Sequence, residues 1–578
     1  MVTVLPPVYD RRQPSKGSYS AIVYQEGDQV IAEDSNGSKI YKNTHIATND
    51  TACIQAAIDH FPNGQAVIYI AEGNYNINAS LNIKTAVGGT PQNMFTIKGA
   101  GPRGCFDDQS FNRPATALFQ KFSGSMIKCL GSLTDPDVNG TGHFQQLYIQ
   151  DLGFIQDVAD WGDGSAPTYV GKALEMAGIC GLYIENCSFQ NITGGAISCI
   201  EVWNGCVRYC HFGLCGSAAS SIPTCYFGGD PTPARQPAAS TGIYSCSMAI
   251  TYESNINSVD EYCAIKTGTT ATITGFLESS YIAHNWMEGS NETFGASIYN
   301  CPSFAFISGQ IQSTEIHDNY LIFGGIVAGH GLGDGIQLID GGLSPIHDNY
   351  IEQTYNGINI SGSSYSEVHH NIIRAYTNNG IVVSGWLASV QGNSISYGAT
   401  TGLAGIYGLY ANDAQITGNT IIEAWNKGIV LDSASRCIVQ SNKITNDTNN
   451  HCTVGIVETG DSDYNNISGN MIDSTVTTSI TRIGTHGKVI GNSGYNPVYA
   501  PSGPSVPATT VAFANTFGYA CLVRVTGGAS VTDVYVNGIL MFHQTGAAIE
   551  RNFIVPAGGT ITLTYTSTAP TWTWTGIN

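Results

Sequence analysis

A seven-residue phrase centred on asparagine recurs nine times between residues 281 and 494: YIAHNWM, EIHDNYL, PIHDNYI, EVHHNII, SVQGNSI, QITGNTI, IVQSNKI, NISGNMI and KVIGNSG. Its asparagines, Asn285, Asn319, Asn349, Asn371, Asn393, Asn419, Asn442, Asn470 and Asn492, are separated by 34, 30, 22, 22, 26, 23, 28 and 22 residues. These spacings describe a unit of at least 22 residues that accepts insertions. Self-similarity at such a period requires a solenoid, because one unit of that size cannot bury its own apolar face and must stack on copies of itself.

The pattern inside the unit selects the kind of solenoid. Three residues before each asparagine after the first stands Ile or Val (Ile316, Ile346, Val368, Val390, Ile416, Val439, Ile467, Val489), and two residues after it, in most units, Leu or Ile. A second apolar run precedes each phrase: DGIQL, NGINI, NGIVV, AGIYG, KGIVL, VGIVE. Each unit thus holds two or three short strands broken by Gly, Asn and Ser, with no amphipathic helix between them. The expected structure is a parallel β-helix, in which successive coils lie about 4.8 Å apart and a recurring residue becomes a column. The asparagine is expected at a bend, with a left-handed backbone and its amide bonded to the next asparagine. Less regular earlier coils, LYIQDLGF, LYIENCSF and CVRYCHF, put Asp151, Asn186 and Tyr209 near the same bend and make Cys187 and Cys210 neighbours in one column.

Composition narrows the function classes. Only 11% of the 578 residues are charged, and the formal net charge is −20 with no basic stripe, which argues against nucleic acid and anionic membrane surfaces as partners. No apolar run reaches bilayer length, so no membrane insertion is expected. The opening MVTVLPPVYDRRQPSKGS lacks the basic start and apolar core of a secretory signal. Seven cysteines, Cys180, Cys187, Cys199, Cys206, Cys210, Cys215 and Cys225, contain no CxxC pair, which disfavours a zinc knuckle and leaves buried thiols or disulfides.

Near the N-terminus, residues 48–99 contain the one clear helix, CIQAAIDHF, which Asp50 or Thr51 is placed to cap. The order D-T-x-x-I-Q-x-A-I-D, then V-x-Y-I-x-x-G-x-Y-x-I, then G-A-G resembles the opening of the pectate-lyase-like right-handed parallel β-helix superfamily. That resemblance implies a helix covering the open N-terminal end of the solenoid, where bare strand edges would otherwise aggregate. The expected fold is therefore all-β: a right-handed parallel β-helix with an N-terminal capping helix and a small C-terminal antiparallel β-sandwich. Its expected divisions are an extension with a hairpin module (1–43), the capped β-helix (44–496), a Pro/Ser linker (497–508) and the C-terminal module (509–578).

Three groups of side chains bear chemistry. His317, His347 and His369 share an outward column beside Asp318, Asp348 and His370, an arrangement that holds a divalent metal, moves protons, or simply hydrogen-bonds along the ladder. Beyond the bend, Tyr355, Arg374, Tyr376, Tyr397 and Trp425 lie on or near the exit loops, where aromatic faces and a guanidinium suit sugar rings. Glu352, Glu423 and Asp334 are the candidate catalytic carboxylates, since a glycosidase needs two, about 5–9 Å apart. The NTD, DD, HG and RIK series of the polygalacturonases is absent apart from His330–Gly331.

The hairpin ahead of the helix and the distal β-module resemble those of viral tailspikes. That likeness implies a virion-surface or extracellular receptor-binding protein that grips host-surface polysaccharide, associates as a homotrimer, meets other virion proteins through its N-terminus, and in some cases cleaves the glycan. The alternatives are a secreted polysaccharide lyase or hydrolase and a non-enzymatic surface fibre or adhesin.

Overall fold

The computed structural model describes residues 18–62, 64–83, 86–87, 90–91, 93–101, 116–131, 144, 146–156, 169–213, 215–216, 222–228, 238–250, 263–267, 277–289, 305–323, 333–340, 342–362, 365–399, 402–447, 449–495, 504–516 and 520–577. It divides into two compact units, Met1–Tyr355 and Asn356–Asn578.

In the first unit, β1 (Ala21–Glu26), β2 (Gln29–Asp34) and β3 (Lys39–Thr44) form an antiparallel meander. It is continuous with the solenoid, because β1 pairs in parallel with β4 (Gly64–Ile70). Between them lies α1 (Ala47–Asp59), which buries Cys53, Ile54, Ala57 and Ile58. The helix starts before the expected cap: Ile46 is the N-cap, and its apolar side chain accepts no capping hydrogen bond. Asp50, in the first turn, and Thr51, just beyond it, tie the helix to β5 (Gly73–Ile77) and the residue after it. Asp50 accepts the Asn76 N–H at 2.9 Å and contacts His45 Nδ1 at 2.7 Å, while Thr51 Oγ1 accepts the Asn78 N–H at 2.9 Å.

From β4 onward the strands stack in parallel and in register. One buried column runs Ile68, Ile97, Ile149, Ile184, Val207, Ile243, Ile282, Ile316, Ile346. A second runs Tyr75, Leu118, Phe154, Phe189, Phe212, Met248, Met287, Leu321, Ile351. Within it the phenyl rings of Phe154, Phe189 and Phe212 lie parallel, 5.0 and 4.8 Å apart. In the second unit the matching columns are Val368, Val390, Ile416, Val439, Ile467, Val489 and Ile373, Ile395, Ile421, Ile444, Ile472. This is the parallel β-helix expected from the repeat.

The asparagines are buried and form amide ladders, Asn285 to Asn349 in the first unit and Asn371 to Asn492 in the second. They are not the left-handed residues. That backbone belongs to the residue before each: His284, Asp318 and Asp348 in one unit, His370, Gly392, Gly418, Ser441, Gly469 and Gly491 in the other. The left-handed bend turns the next side chain inward, where its amide bonds backbone as well as the neighbouring amide. Asp151, Asn186, Tyr209 and Ser245 hold the same conformation in earlier coils.

It follows that Cys187, Cys210 and Cys246 extend the asparagine column. Their thiols reach Ile149, Ile184 and Val207 carbonyls at 3.6, 3.7 and 3.7 Å, and the next residue of the column, Asn285, bonds the Ile243 carbonyl at 3.0 Å. The thirteen cysteines whose side chains are described are all free thiols.

The C-terminal segment is a five-stranded antiparallel sheet. Strand Cys521–Val536 pairs along one edge with Ile539–Val555. Its other edge is shared between Thr571–Gly576, against residues 521–526, and Thr560–Tyr565, against 531–536. Val523, Val525, Val534, Phe553, Trp572 and Trp574 form its core.

Candidate functional site

Outward side chains flank each bend. Before it, His317 stacks on His347 with ring centroids 5.0 Å apart and an interplanar angle of 4°. Each imidazole meets the carboxylate of its own bend residue, His317 Nδ1 to Asp318 Oδ2 at 2.8 Å and His347 Nδ1 to Asp348 Oδ2 at 2.8 Å. His369, in the second unit, has its Nδ1 3.2 Å from that of His370 and pairs in register with Gln391, so its surroundings differ from those of the other two histidines. His284 was not among the expected site residues. It sits at the bend position rather than in the histidine column, with its ring 5.5 Å from His317 and Nδ1 3.9 Å from Asp318 Oδ2. The signal was present in the repeat, since His284 aligns with Asp318 once the coils are superposed.

After the bend, a strip of aromatic rings lies on the outer face of the first unit. Trp286, Tyr320 and Tyr350 occupy successive coils in register. Ring centroids are 4.3 Å apart for Trp286 and Tyr320 and 4.8 Å for Tyr320 and Tyr350. Trp286 is 50% exposed, and both tyrosines are half-buried. The Tyr350 hydroxyl donates to Glu352 Oε2 at 2.6 Å, fixing that carboxylate beside the strip. These rings immediately follow Asn285, Asn319 and Asn349, so they lie directly past the bend rather than on the exit loops where aromatic faces are expected.

The exit-loop residues separate into exposed and buried sets. Arg374 lies 5.7 Å from the centroid of Tyr397, which is 44% exposed. Tyr376, expected on the surface, is fully buried instead. A third bend is responsible: Ala375, Tyr397 and Glu423 all have positive φ, and the side chains that follow the first and last of them, Tyr376 and Ala424, are buried. The Tyr376 ring covers Gly398, where an added Cβ would sit 3.0 Å from it. Burial pushes its phenol far above the ordinary range.

Glu423, expected as a catalytic carboxylate, is also buried. Its carboxylate accepts the backbone N–H groups of Asp447, Asn450 and His451 and contacts His451 Nδ1 at 3.3 Å. It anchors a loop. That loop carries His451 onto Trp425, ring centroids 3.9 Å apart, covering part of the indole. Tyr355 is half-buried, and its N–H donates to the Gly333 carbonyl. Asp334 is buried at the start of its strand, whose backbone pairs with Ala305. His330 and Gly331 fall outside the described residues.

Residues 42–121 match the family model of the rhamnogalacturonase A/epimerase, pectate lyase-like, domain, and residues 326–493 match that of the periplasmic copper-binding protein NosD. The fold is a parallel β-helix, and its residues 42–121 are similar to that pectate-lyase-like model. No curated protein sequence matches it. Among solved structures, it is similar to tailspike protein 3 of bacteriophage CBA120, at 14% identity and TM-score 0.42, over 80% of this chain and 62% of that one. It is similar to a mutant tailspike of E. coli bacteriophage HK620 in complex with a pentasaccharide, at 13% identity and TM-score 0.49, over 94% and 91%. It is also similar to the A-module of the mannuronan C-5 epimerase AlgE4 of Azotobacter vinelandii, at 14% identity and TM-score 0.32, over 76% and 96%.

The pectate-lyase-like match spans α1, its buried Asp50 and Thr51, and the strands they anchor. The second match spans the coils from Asn349 to Asn492.

Proposed function

We propose that this protein is a tailspike-like surface protein that binds host-surface glycan along the outer face of its first unit. The observation that carries the reading is the Trp286–Tyr320–Tyr350 strip with Glu352 beside it. Sugar rings present apolar C–H faces that pack on aromatic rings, while their hydroxyls seek a fixed carboxylate or guanidinium. Rings spaced one coil apart offer successive platforms to an extended polysaccharide. The net charge of −20 favours a neutral or polar glycan over a phosphate-rich ligand.

On this reading the protein works outside the cell or on a virion, attaches to other virion proteins through its N-terminal segment and assembles as a homotrimer; these rest on resemblance to tailspikes. The reading includes cleavage of the glycan, with Glu352, held by the Tyr350 hydroxyl, as one carboxylate; hydrolysis needs a second about 5–9 Å away.

The test is binding of envelope glycan fragments to the full chain and to Trp286→Ala and Tyr320→Ala. Each variant is expected to lose about tenfold in affinity, the size of a lost aromatic stacking contact. Trp425→Ala, whose ring is partly covered by His451, is expected to change affinity less. Equal affinity in the wild type and both strip variants would exclude the strip. Release of reducing ends or of unsaturated uronate from the same glycan reports cleavage, and light scattering reports the oligomer.

A further inference from the structure

The geometry points to a single transition-metal site at His284, His317 and Asp318. Two imidazoles and a carboxylate from successive coils bring one ligand atom each to within 4.8 Å of one another. His317 Nδ1 is 2.8 Å and His284 Nδ1 3.9 Å from the same oxygen, Asp318 Oδ2. Metal–nitrogen bonds of about 2.0–2.1 Å separate adjacent ligand atoms by roughly 3 Å, so a small rotation of the exposed His284 side chain closes the set. Two histidines and one carboxylate on one side of an ion leave its remaining positions to solvent, and this donor set suits Zn2+, Cu2+ or Ni2+ rather than Ca2+ or Mg2+. Glu315 Oε2 lies 4.0 Å from His317 Nε2, beyond hydrogen-bonding distance, and adds negative charge near the ring.

The fold asks for none of this. The same bend is filled by Asp151, Asn186, Tyr209 and Ser245 in other coils of the unit, all with the same left-handed backbone, so an imidazole at position 284 is not needed to make the turn. The next coil supplies a built-in comparison. His347 and Asp348 repeat the hydrogen bond of His317 and Asp318, but the bend residue of the coil before them is Asp318 rather than a histidine, so His284 has no imidazole counterpart there. Among the described residues, His284, His317 and Asp318 are the one such cluster.

Titrating Zn2+, and separately Cu2+, into the tag-free full chain by calorimetry tests the site. One equivalent is expected to bind, with affinity falling about tenfold or more in His284→Ala and in Asp318→Asn, as for loss of a ligand, and changing little in His347→Ala and His369→Ala. The Asp318→Asn change keeps a residue suited to the left-handed bend, so circular dichroism and thermal midpoint should stay at wild-type values while binding falls. No saturable binding of either ion, undiminished binding in His284→Ala, or an equal loss in His347→Ala would each overturn the assignment. Glycan binding measured with and without the ion is a separate readout, so failure of the metal site leaves the glycan reading standing.

Discussion

Asn419 Oδ1 accepts two hydrogen bonds from Asn393, one from the side-chain amide at 2.9 Å and one from the backbone N–H at 3.0 Å. Its own amide donates onward to Asn442 Oδ1 and to the Val390 carbonyl, both at 2.9 Å. Every rung therefore satisfies a backbone group at the bend that water cannot reach. Asn419→Ala strips Asn393 of its acceptor and orphans two buried donors, at about 1–3 kcal/mol each. Chemical denaturation should show a loss of that combined size. Asn419→Cys should cost less than the alanine, because Cys187, Cys210 and Cys246 already fill this column in earlier coils.

The G-I pairs of the repeat mark a steric limit. A Cβ built on Gly428 would stand 2.5 Å from the Gly455 carbonyl oxygen and 2.8 Å from Ile444 Cγ2. The first contact is backbone and cannot be relieved by a rotamer change. Gly428→Ala is expected to destabilise the second unit by about 1–3 kcal/mol, the range for overpacking a filled core, read from the same denaturation curves.

The coil, its three strands and its inward columns were legible in the sequence because Ile and Val keep fixed distances from Asn. Backbone conformation was less so. The constant Asn drew the left-handed assignment, whereas the bend belongs to the variable residue before it, where His, Asp, Ser and Gly are all tolerated. Tyr376 is buried because strand alternation stops at Arg374, where the left-handed Ala375 redirects the chain, and Glu423 because the backbone of Asp447, Asn450 and His451 closes over it; nothing periodic in the sequence marks either. The Trp286, Tyr320 and Tyr350 strip was readable in principle, as the position directly after the asparagine.

Burial sets the chemistry of the cysteine column. It raises the Cys210 thiol well above its ordinary range, with hydrogen bonding to Cys187 and Cys246 adding to the effect. A thiol held neutral and out of solvent is a poor nucleophile. In native protein, Cys187, Cys210 and Cys246 should resist alkylation for hours, whereas Cys180, which is partly exposed, reacts first; all should react once the chain is unfolded. Peptide-resolved mass spectrometry distinguishes these sites. Rapid native labelling of Cys210 would contradict the packing.

Glu423 holds the loop that carries His451 onto Trp425 through three backbone N–H groups. Glu423→Ala leaves those donors without their acceptor. The loop should loosen first, giving new proteolytic cleavage within residues 446–452 and a shift of tryptophan fluorescence as the indole is uncovered. Glu423→Gln keeps the shape and an acceptor oxygen but loses the charge, so its effect should be smaller.

Asp463 links stability to acid. A hydrogen bond from the His486 ring, at 2.7 Å, and backbone N–H groups of His486 and Tyr464, both at 2.8 Å, favour its ionised form and push its carboxyl down to about 2 from the ordinary 3.8. A group whose folded value is depressed stabilises the fold fully above its unfolded value. That contribution fades as pH falls from about 4 through 2, where the folded state must also take up the proton. The direction is therefore fixed: the thermal midpoint of the wild type should fall more steeply over that interval than the midpoint of Asp463→Asn, which has no proton to bind. Above pH 5 the two curves should run parallel, with the variant lower. The Tyr464 ring stacks on the His486 ring at 4.6 Å and contributes packing that the substitution leaves in place, so the difference between the two slopes isolates the carboxylate.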